Sequence, residues 1–299
     1  MTRTIKLKRK TKNYIAGYMF ISPVVIGVLV FTLTPVLLSL YFGFTKYDNI
    51  NPPEWIGFQN YVKMFHDDVF LHSLKITCKY AAVSVGLNMV LSFAFALLLN
   101  SDVKGISVFR VLLYLPCVVP GLASAMIWKD LFNPTAAGRI NQIITALGFK
   151  PYPFLFHPNT AWNSMIIMSL WGLAGGMLMW LAGFKSVPTT LYEVGAIEGA
   201  RWHHRLWHIT IPMISPIIFY KLVNSVIGAL QAFGASYLMT GGGPLHSTNF
   251  LVLNIYNTGL TEMNMGYACA QSWILFIMIF ALTAIVFRTG GWVYYGEDQ

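Results

Sequence analysis

Long apolar runs alternate with short polar interruptions along this chain. Residues 13–45, 80–101, 111–128, 151–184, 222–261 and 263–287 contain no Asp, Glu, Lys or Arg. A helix that crosses a membrane needs about 20 largely apolar residues, and runs of that size recur throughout. The pattern predicts six spans, at about 15–44, 73–99, 107–128, 162–184, 209–238 and 266–288. An outer-membrane barrel would instead show short, strictly alternating segments, and none are visible. The expected fold class is all-α: a polytopic membrane protein with six transmembrane helices.

Composition agrees with the pattern. Of 299 residues, 56% are hydrophobic and 10% are charged, whereas a soluble domain carries about 25% charged residues. The net charge of +9 raises the question of nucleic acid, but the placement of the cations argues for a lipid bilayer instead. Arg3, Lys6, Lys8, Arg9, Lys10 and Lys12 precede the first apolar run and read as a cytoplasmic anchor, residues 1–14. That run exceeds the 7–15 residues of a signal peptide's apolar region, and no small-residue cleavage site ends it, so it is expected to be retained. Six crossings put both termini on one side. Lys104, Arg110, Lys185, Arg201 and Arg205 lie in the short loops of that side, with Arg288 after the last span. Lys46, Lys63, Lys129, Arg139 and Lys150 are spread over much longer loops opposite. The positive-inside bias therefore predicts cytoplasmic termini, with residues 15–288 as the membrane domain and 289–299 as a cytoplasmic tail.

Several spans carry prolines that remove a backbone donor and tend to kink a helix: Pro23 and Pro35, Pro116 and Pro120, and Pro212 and Pro216. The longest loop, about 129–161, has room only for short amphipathic pieces such as "GRINQIITALG". Cys78, Cys117 and Cys269 lie in or beside apolar runs without metal-like spacing, which points to packing.

One interruption is unusually polar. "EVGAIEGARWHHRLWHITIP", residues 193–212, holds two carboxylates, two arginines and three histidines. Ser186 can cap a helix with Pro188 near its first turn. Leu191, Val194 and Ile197 share one face of it, and Gly199 allows a turn that side chains resist. Trp202, Leu206 and Ile209 then share a face, with Arg201, His204, Arg205 and His208 on another, until Pro212 opens the next span. Two short helices bent at Gly199 and lying at the cytoplasmic surface are expected. On periodicity alone, an interfacial anchor explains them as well as any docking role. His204 and His208 sit at i, i+4 but have no nearby carboxylate or Cys to complete a metal site.

This segment resembles the EAA loop of ABC importer permease subunits, with Glu193, Gly199, Ile209 and Pro212 at the family spacing. Val194-Gly195 stands where that pattern has Ala-Ala. "WIGFQNYVKMF", "RVLLYLPCVVPGLASAMIWKDLFNP" and "YLMTGGGP" resemble the carbohydrate-uptake branch, in the same order and over nearly the whole chain. The resemblance implies a type I importer permease fold in a bacterial cell membrane, with residues 186–212 as a coupling helix that docks on an ATPase. Glu193 would then be the ionic anchor and Gly199 the bend, with Ala200, Trp202, Leu206, Ile209 and Pro212 completing the segment. It also implies a second homologous permease, a dimeric cytoplasmic ATP-binding subunit and an external solute-binding protein as partners.

The chain has no Gly-rich phosphate loop of its own, so ATP and magnesium are expected on the partner, with no cofactor, metal or catalytic residue here. Polar and aromatic groups within spans are candidates for a sugar path, because sugars offer C–H faces for stacking and hydroxyls for hydrogen bonds. These candidates are Trp171, Gly172 and Gly175 in the fourth span, and Asn224, Ser225, Gln231 and Tyr237 in the fifth. Helix packing explains any one of them equally well. Lys221 has two readings. Either the fifth span starts late and the ammonium snorkels to the interface, or it faces the cavity and attracts an acidic oligosaccharide. Trp55, Phe58, Tyr61, Tyr152, Phe154 and Phe156 enrich the outer loops, where they would dock a binding protein or pack on one another. Rival readings are the same family with a cargo such as glycerol phosphate, and a stand-alone secondary transporter. Against the latter, no Asp or Glu lies within a predicted span.

Overall fold

The computed structural model describes residues 9–100, 105–135 and 138–294. Arg3, Lys6, Lys8 and Lys104 of the predicted cytoplasmic charge lie outside them. The chain separates into two compact units, residues 9–63 with 258–273, and residues 64–257 with 274–294.

In the first unit, α1 (Arg9–Val28) runs through a π-helical turn, Leu29–Leu33, into α2 (Thr34–Gly43). Together they make one apolar span, Asn13–Gly43. Pro35, where a kink is expected, leaves the span continuous. The wide turn lies just before it, where its missing N–H and bulky ring would disturb ordinary helical bonding. A two-residue strand pair follows, β1 (Thr45–Lys46) antiparallel to β2 (Glu54–Trp55), with Thr45 opposite Trp55. It is a small addition to the expected all-α fold. Asn60, in α3 (Gln59–Met64), fastens it by donating to the carbonyls of Gly43 at 3.0 Å and Thr45 at 2.9 Å. Phe44 stacks on Trp55 at 5.6 Å and meets Phe58 and Tyr61 at 5.2 Å each. These loop aromatics therefore pack on one another, although Trp55 and Phe58 keep much of their surface exposed. Gly266 passes so close to the pair that a Cβ there would stand 2.1 Å from the Thr45 carbonyl oxygen.

The second unit is organised on α4 (Asp68–Leu99), 32 residues long and thus about 48 Å. Asp67 caps it by accepting from the amides of Val69 and Phe70. Next come α5 (Ile106–Val118) and α6 (Gly121–Leu131), bent 100° apart at Val119–Pro120, where the sequence placed a kink. The amphipathic α7 (Arg139–Ala146) occupies the long loop as expected. The fourth span is also broken, into α8 (Pro158–Ser169) and α9 (Leu173–Ser186), bent by 40°. No proline marks that break, which falls at Leu170–Gly172. Short helices α10 (Thr189–Ile197), α11 (Trp202–Arg205) and α12 (Ile211–Met213) lead to α13 (Ser215–Leu230) and α14 (Gly234–Met239). The fifth span therefore begins at Ser215 rather than 209. α15 (Leu251–Tyr256) precedes α16 (Met265–Arg288), the last span. By length and composition the described residues hold four continuous spans, or six when each bent pair counts as one.

Two apolar clusters of described residues help hold this unit. One joins Ala96 and Leu99 of α4 to Met177, Trp180 and Phe184 of α9 and to Ile214. The other gathers Ile76, Tyr80, Ala125, Phe132, Met165, Met239 and Phe250. Polar bonds tie the loop after α14 to α4: the Leu251 amide donates to Thr77 Oγ1 at 2.8 Å, and Asn249 Nδ2 to Ser73 Oγ at 3.1 Å.

Candidate functional site: a bent surface hairpin and a polar helix stripe

α10 follows α9 after only two residues. Ser186, expected as its cap, is instead the last residue of α9 and donates to the Gly183 carbonyl at 2.7 Å. Pro188 occupies the cap position, and its fixed φ suits the start of a helix. The other end closes as a glycine-terminated motif. Gly199 has φ +74°, its amide donates to the Ala196 carbonyl, and the Ala200 amide reaches back to Gly195 at 2.8 Å. This pair of bonds is the Schellman arrangement, which requires a left-handed residue at the position Gly199 occupies. The bend predicted at Gly199 is present.

The returning arm is α11 followed by a π turn, Leu206–Thr210, and α12. Thr210 Oγ1 donates to the Arg205 carbonyl, five residues back, and shares a 2.9 Å bond with the Tyr192 hydroxyl on the first arm. The arms also pack closely at Gly195, where a Cβ would lie 3.1 Å from Ile209 Cδ1. Leu206 and Ile209 are half-buried as the periodicity implies, but Trp202 is 70% exposed. Trp202 nonetheless stays beside Leu206, one helical turn away, and lines one groove with it. Trp202, Leu206, Arg205 and Tyr192 line this groove of about 370 Å³ with Leu97 of α4 and Asn100 just after it, which places the hairpin beside the C-terminal end of that helix. Tyr192 and Thr210 escaped the sequence reading, since nothing in a hydroxyl pair 18 residues apart marks it as a lock.

The outward side of α10 is apolar with one charge. Val194 is 57% exposed, Ile197 is 86% exposed, and Glu193 beside them is exposed without a hydrogen bond or ion pair among the described residues. His203, His204 and His208 form a ladder with ring centroids 4.6 and 5.7 Å apart. Among the described residues no three His, Cys, Asp or Glu form a metal-holding group.

The path candidates fall into separate places. Tyr220, Asn224, Gly228 and Gln231, at spacings of four, four and three, make an exposed stripe on α13. Asn224 donates back to the Tyr220 carbonyl at 2.8 Å. Ser225 is half-buried and, with Gly228 of the stripe, lines a small cavity with Tyr80, Ser84 and Asn88 of α4 and Ser169 of α8. Those α4 residues were missed, although their spacing of four within an apolar run is a readable signal. Trp171 and Gly172 sit in the break of the fourth span, exposed, with Gly175 one turn further on. Trp171 meets Trp128 edge-on at 5.3 Å. Tyr237 stacks on Phe233 at 5.3 Å and touches Tyr256.

Lys221 lies off this stripe and only 6% exposed. Its Nζ is 5.5 Å from the centre of the Trp180 ring and fills the space over Gly176, where a Cβ would stand 1.8 Å away. The span does start late, but the ammonium is packed inside the bundle and does not snorkel.

Spans by length and composition, two of them broken, mark a multi-pass membrane protein. A family model for the binding-protein-dependent transport system inner membrane component matches residues 84–295. The chain is 35% identical over 294 residues to a probable ABC transporter permease protein, YesP, of Bacillus subtilis, covering 96% of this chain and 94% of that one. It is 31% identical to the trehalose/maltose transport system permease protein MalF of Thermococcus litoralis, over 97% and 98% of the two chains. A solved bacterial ABC transporter involved in import of the acidic polysaccharide alginate shares the fold, with a TM-score of 0.85 at 22% identity over 94% of this chain and 97% of that one. The chain belongs to the binding-protein-dependent transport system inner membrane component family. It is an ABC importer permease subunit, a membrane-embedded transport component and not an enzyme.

Proposed function

We propose that this chain forms half of the translocation path of a bacterial sugar importer, with an oligosaccharide as cargo, paired with a second homologous permease. ATP and magnesium are bound by a dimeric cytoplasmic subunit, a separate solute-binding protein delivers cargo from outside, and both termini of this chain are cytoplasmic. The observation that carries the reading is the hairpin. An unpaired Glu193 beside exposed Val194 and Ile197, on a helix stopped sharply at Gly199, is a surface suited to a protein partner that offers a cation and an apolar cleft. The stripe from Tyr220 to Gln231 supplies the amide and aromatic groups a sugar needs.

The cargo is supported by the trehalose/maltose relative and by the fold neighbour solved with a binding protein carrying an alginate pentasaccharide. A second reading, glycerol phosphate, has its own support in a 31% identical sn-glycerol-3-phosphate permease, UgpA, of Agrobacterium fabrum. The experiment is mild-detergent purification of the tagged protein from its native membrane, with mass spectrometry of what accompanies it. An ATPase and a second permease are expected, and the associated binding protein can then be screened against oligosaccharides and glycerol 3-phosphate. Recovery of the chain alone, moving solute in liposomes without ATP, would overturn the coupling reading. Gly199→Val, β-branched at a left-handed position, should leave the protein inserted while uncoupling ATP hydrolysis from uptake.

A further inference from the structure

At the end of α4 opposite the hairpin, a cavity of about 420 Å³ is lined by His72 and Lys79 of α4, Asn159, Trp162 and Asn163 of α8, and Ser247. Its charged chemistry is one-sided. The Lys79 ammonium sits 4.3 Å from the centre of the Trp162 ring. Neither Lys79 nor His72 is ion-paired among the described residues, and no carboxylate lines the cavity. Two donors there are idle: the Trp162 indole N–H and the Ser247 hydroxyl are buried without a hydrogen-bond partner, with Ser247 only 9% exposed. Leaving a buried donor unmet is costly, so such a pair calls for an acceptor. The N-terminus of α8 opens on the same cavity. It has no side-chain cap and begins with Pro158, so the positive end of a 12-residue helix points where Asn159 lies.

We propose that this cavity is a binding site for an oxyanion, a phosphate or carboxylate group, held by Lys79 with the Ser247 hydroxyl and the α8 N-terminus. Its depth narrows the source of that group. Lys79 precedes Leu99 by twenty residues, about 30 Å along a helix and close to the thickness of the hydrocarbon layer. With Leu99 at one boundary, the site falls at the headgroup level of the other, where a phospholipid phosphate resides. A soluble oxyanion arriving from that face would meet the same groups.

The test uses the full-length chain, delipidated in detergent, and native mass spectrometry with four probes. These are dihexanoyl phosphatidylglycerol, uncharged dihexanoylglycerol as the matched control, glycerol 3-phosphate and galacturonate. The expected result is a preference of roughly tenfold for phosphatidylglycerol over dihexanoylglycerol, the range of one charge-assisted hydrogen bond. Lys79→Gln should abolish that preference and Ser247→Ala should cut it several-fold. Both variants must remain monodisperse by size exclusion, which is expected for Lys79 because it is exposed. Equal, Lys79-dependent binding of glycerol 3-phosphate or galacturonate would assign the site to soluble oxyanions, and phospholipid binding alone would assign it to the bilayer. No preference for any charged probe, or a preference that both variants keep, overturns the proposal.

Discussion

Gly199 offers a test in which bulk and backbone geometry predict different outcomes. A Cβ built there meets nothing within 4 Å, so sterics alone allow any small residue. Its φ of +74° says otherwise. A residue with a side chain costs about 1–2 kcal/mol in the left-handed region, which lowers the ratio of bent to unbent hairpin roughly five- to thirtyfold. Opposing that loss, the Tyr192–Thr210 bond contributes about 1 kcal/mol. Gly199→Ala should therefore weaken the bend without abolishing it. Gly199→Val, β-branched, should do more damage, and Gly199→Asn, which tolerates this conformation, should do least. The assay is ATP hydrolysed per solute imported in proteoliposomes of the assembled transporter. Coupling should fall in the order Gly, Asn, Ala, Val. Wild-type coupling in all three variants, or Asn as damaging as the comparably sized Val, would refute the backbone argument.

Three further outcomes follow from the packing. Lys221→Gln should leave the ratio of acidic to neutral sugar uptake within about twofold, because the ammonium is enclosed against Trp180 and Gly176; a larger change in uptake ratio would return Lys221 to the path. Asn60→Leu should destabilise the strand pair by about 2–4 kcal/mol, since the Gly43 and Thr45 carbonyls lose their shared donor; limited proteolysis at residues 48–53 reads this directly. Asp67→Ala should cost about 1 kcal/mol through loss of the α4 cap, seen as a lower unfolding midpoint in detergent with uptake retained.

Much of this molecule was legible in one dimension. Charge-free runs gave the spans, because a bilayer allows few ionised groups and requires the backbone to satisfy its own hydrogen bonds. Gly199 was readable because one φ region favours one residue type, and Pro120 because it cannot continue a helix. What escaped depends on atoms far apart in sequence. Ser186 failed as a cap because α9 continues through it. The break at Leu170–Gly172 has no proline to announce it, and nothing in the periodicity announces the π turn at 206–210. Tyr192 and Thr210 become a lock only when the arms fold back, and Lys79, Trp162 and Ser247 share a cavity only once α4, α8 and the loop after α14 have packed. Sequence determined which segments enter the membrane, since that depends on local transfer free energy. Tertiary structure alone decided which polar groups meet and which stay unpaired, because that depends on the direction each helix gives its side chains.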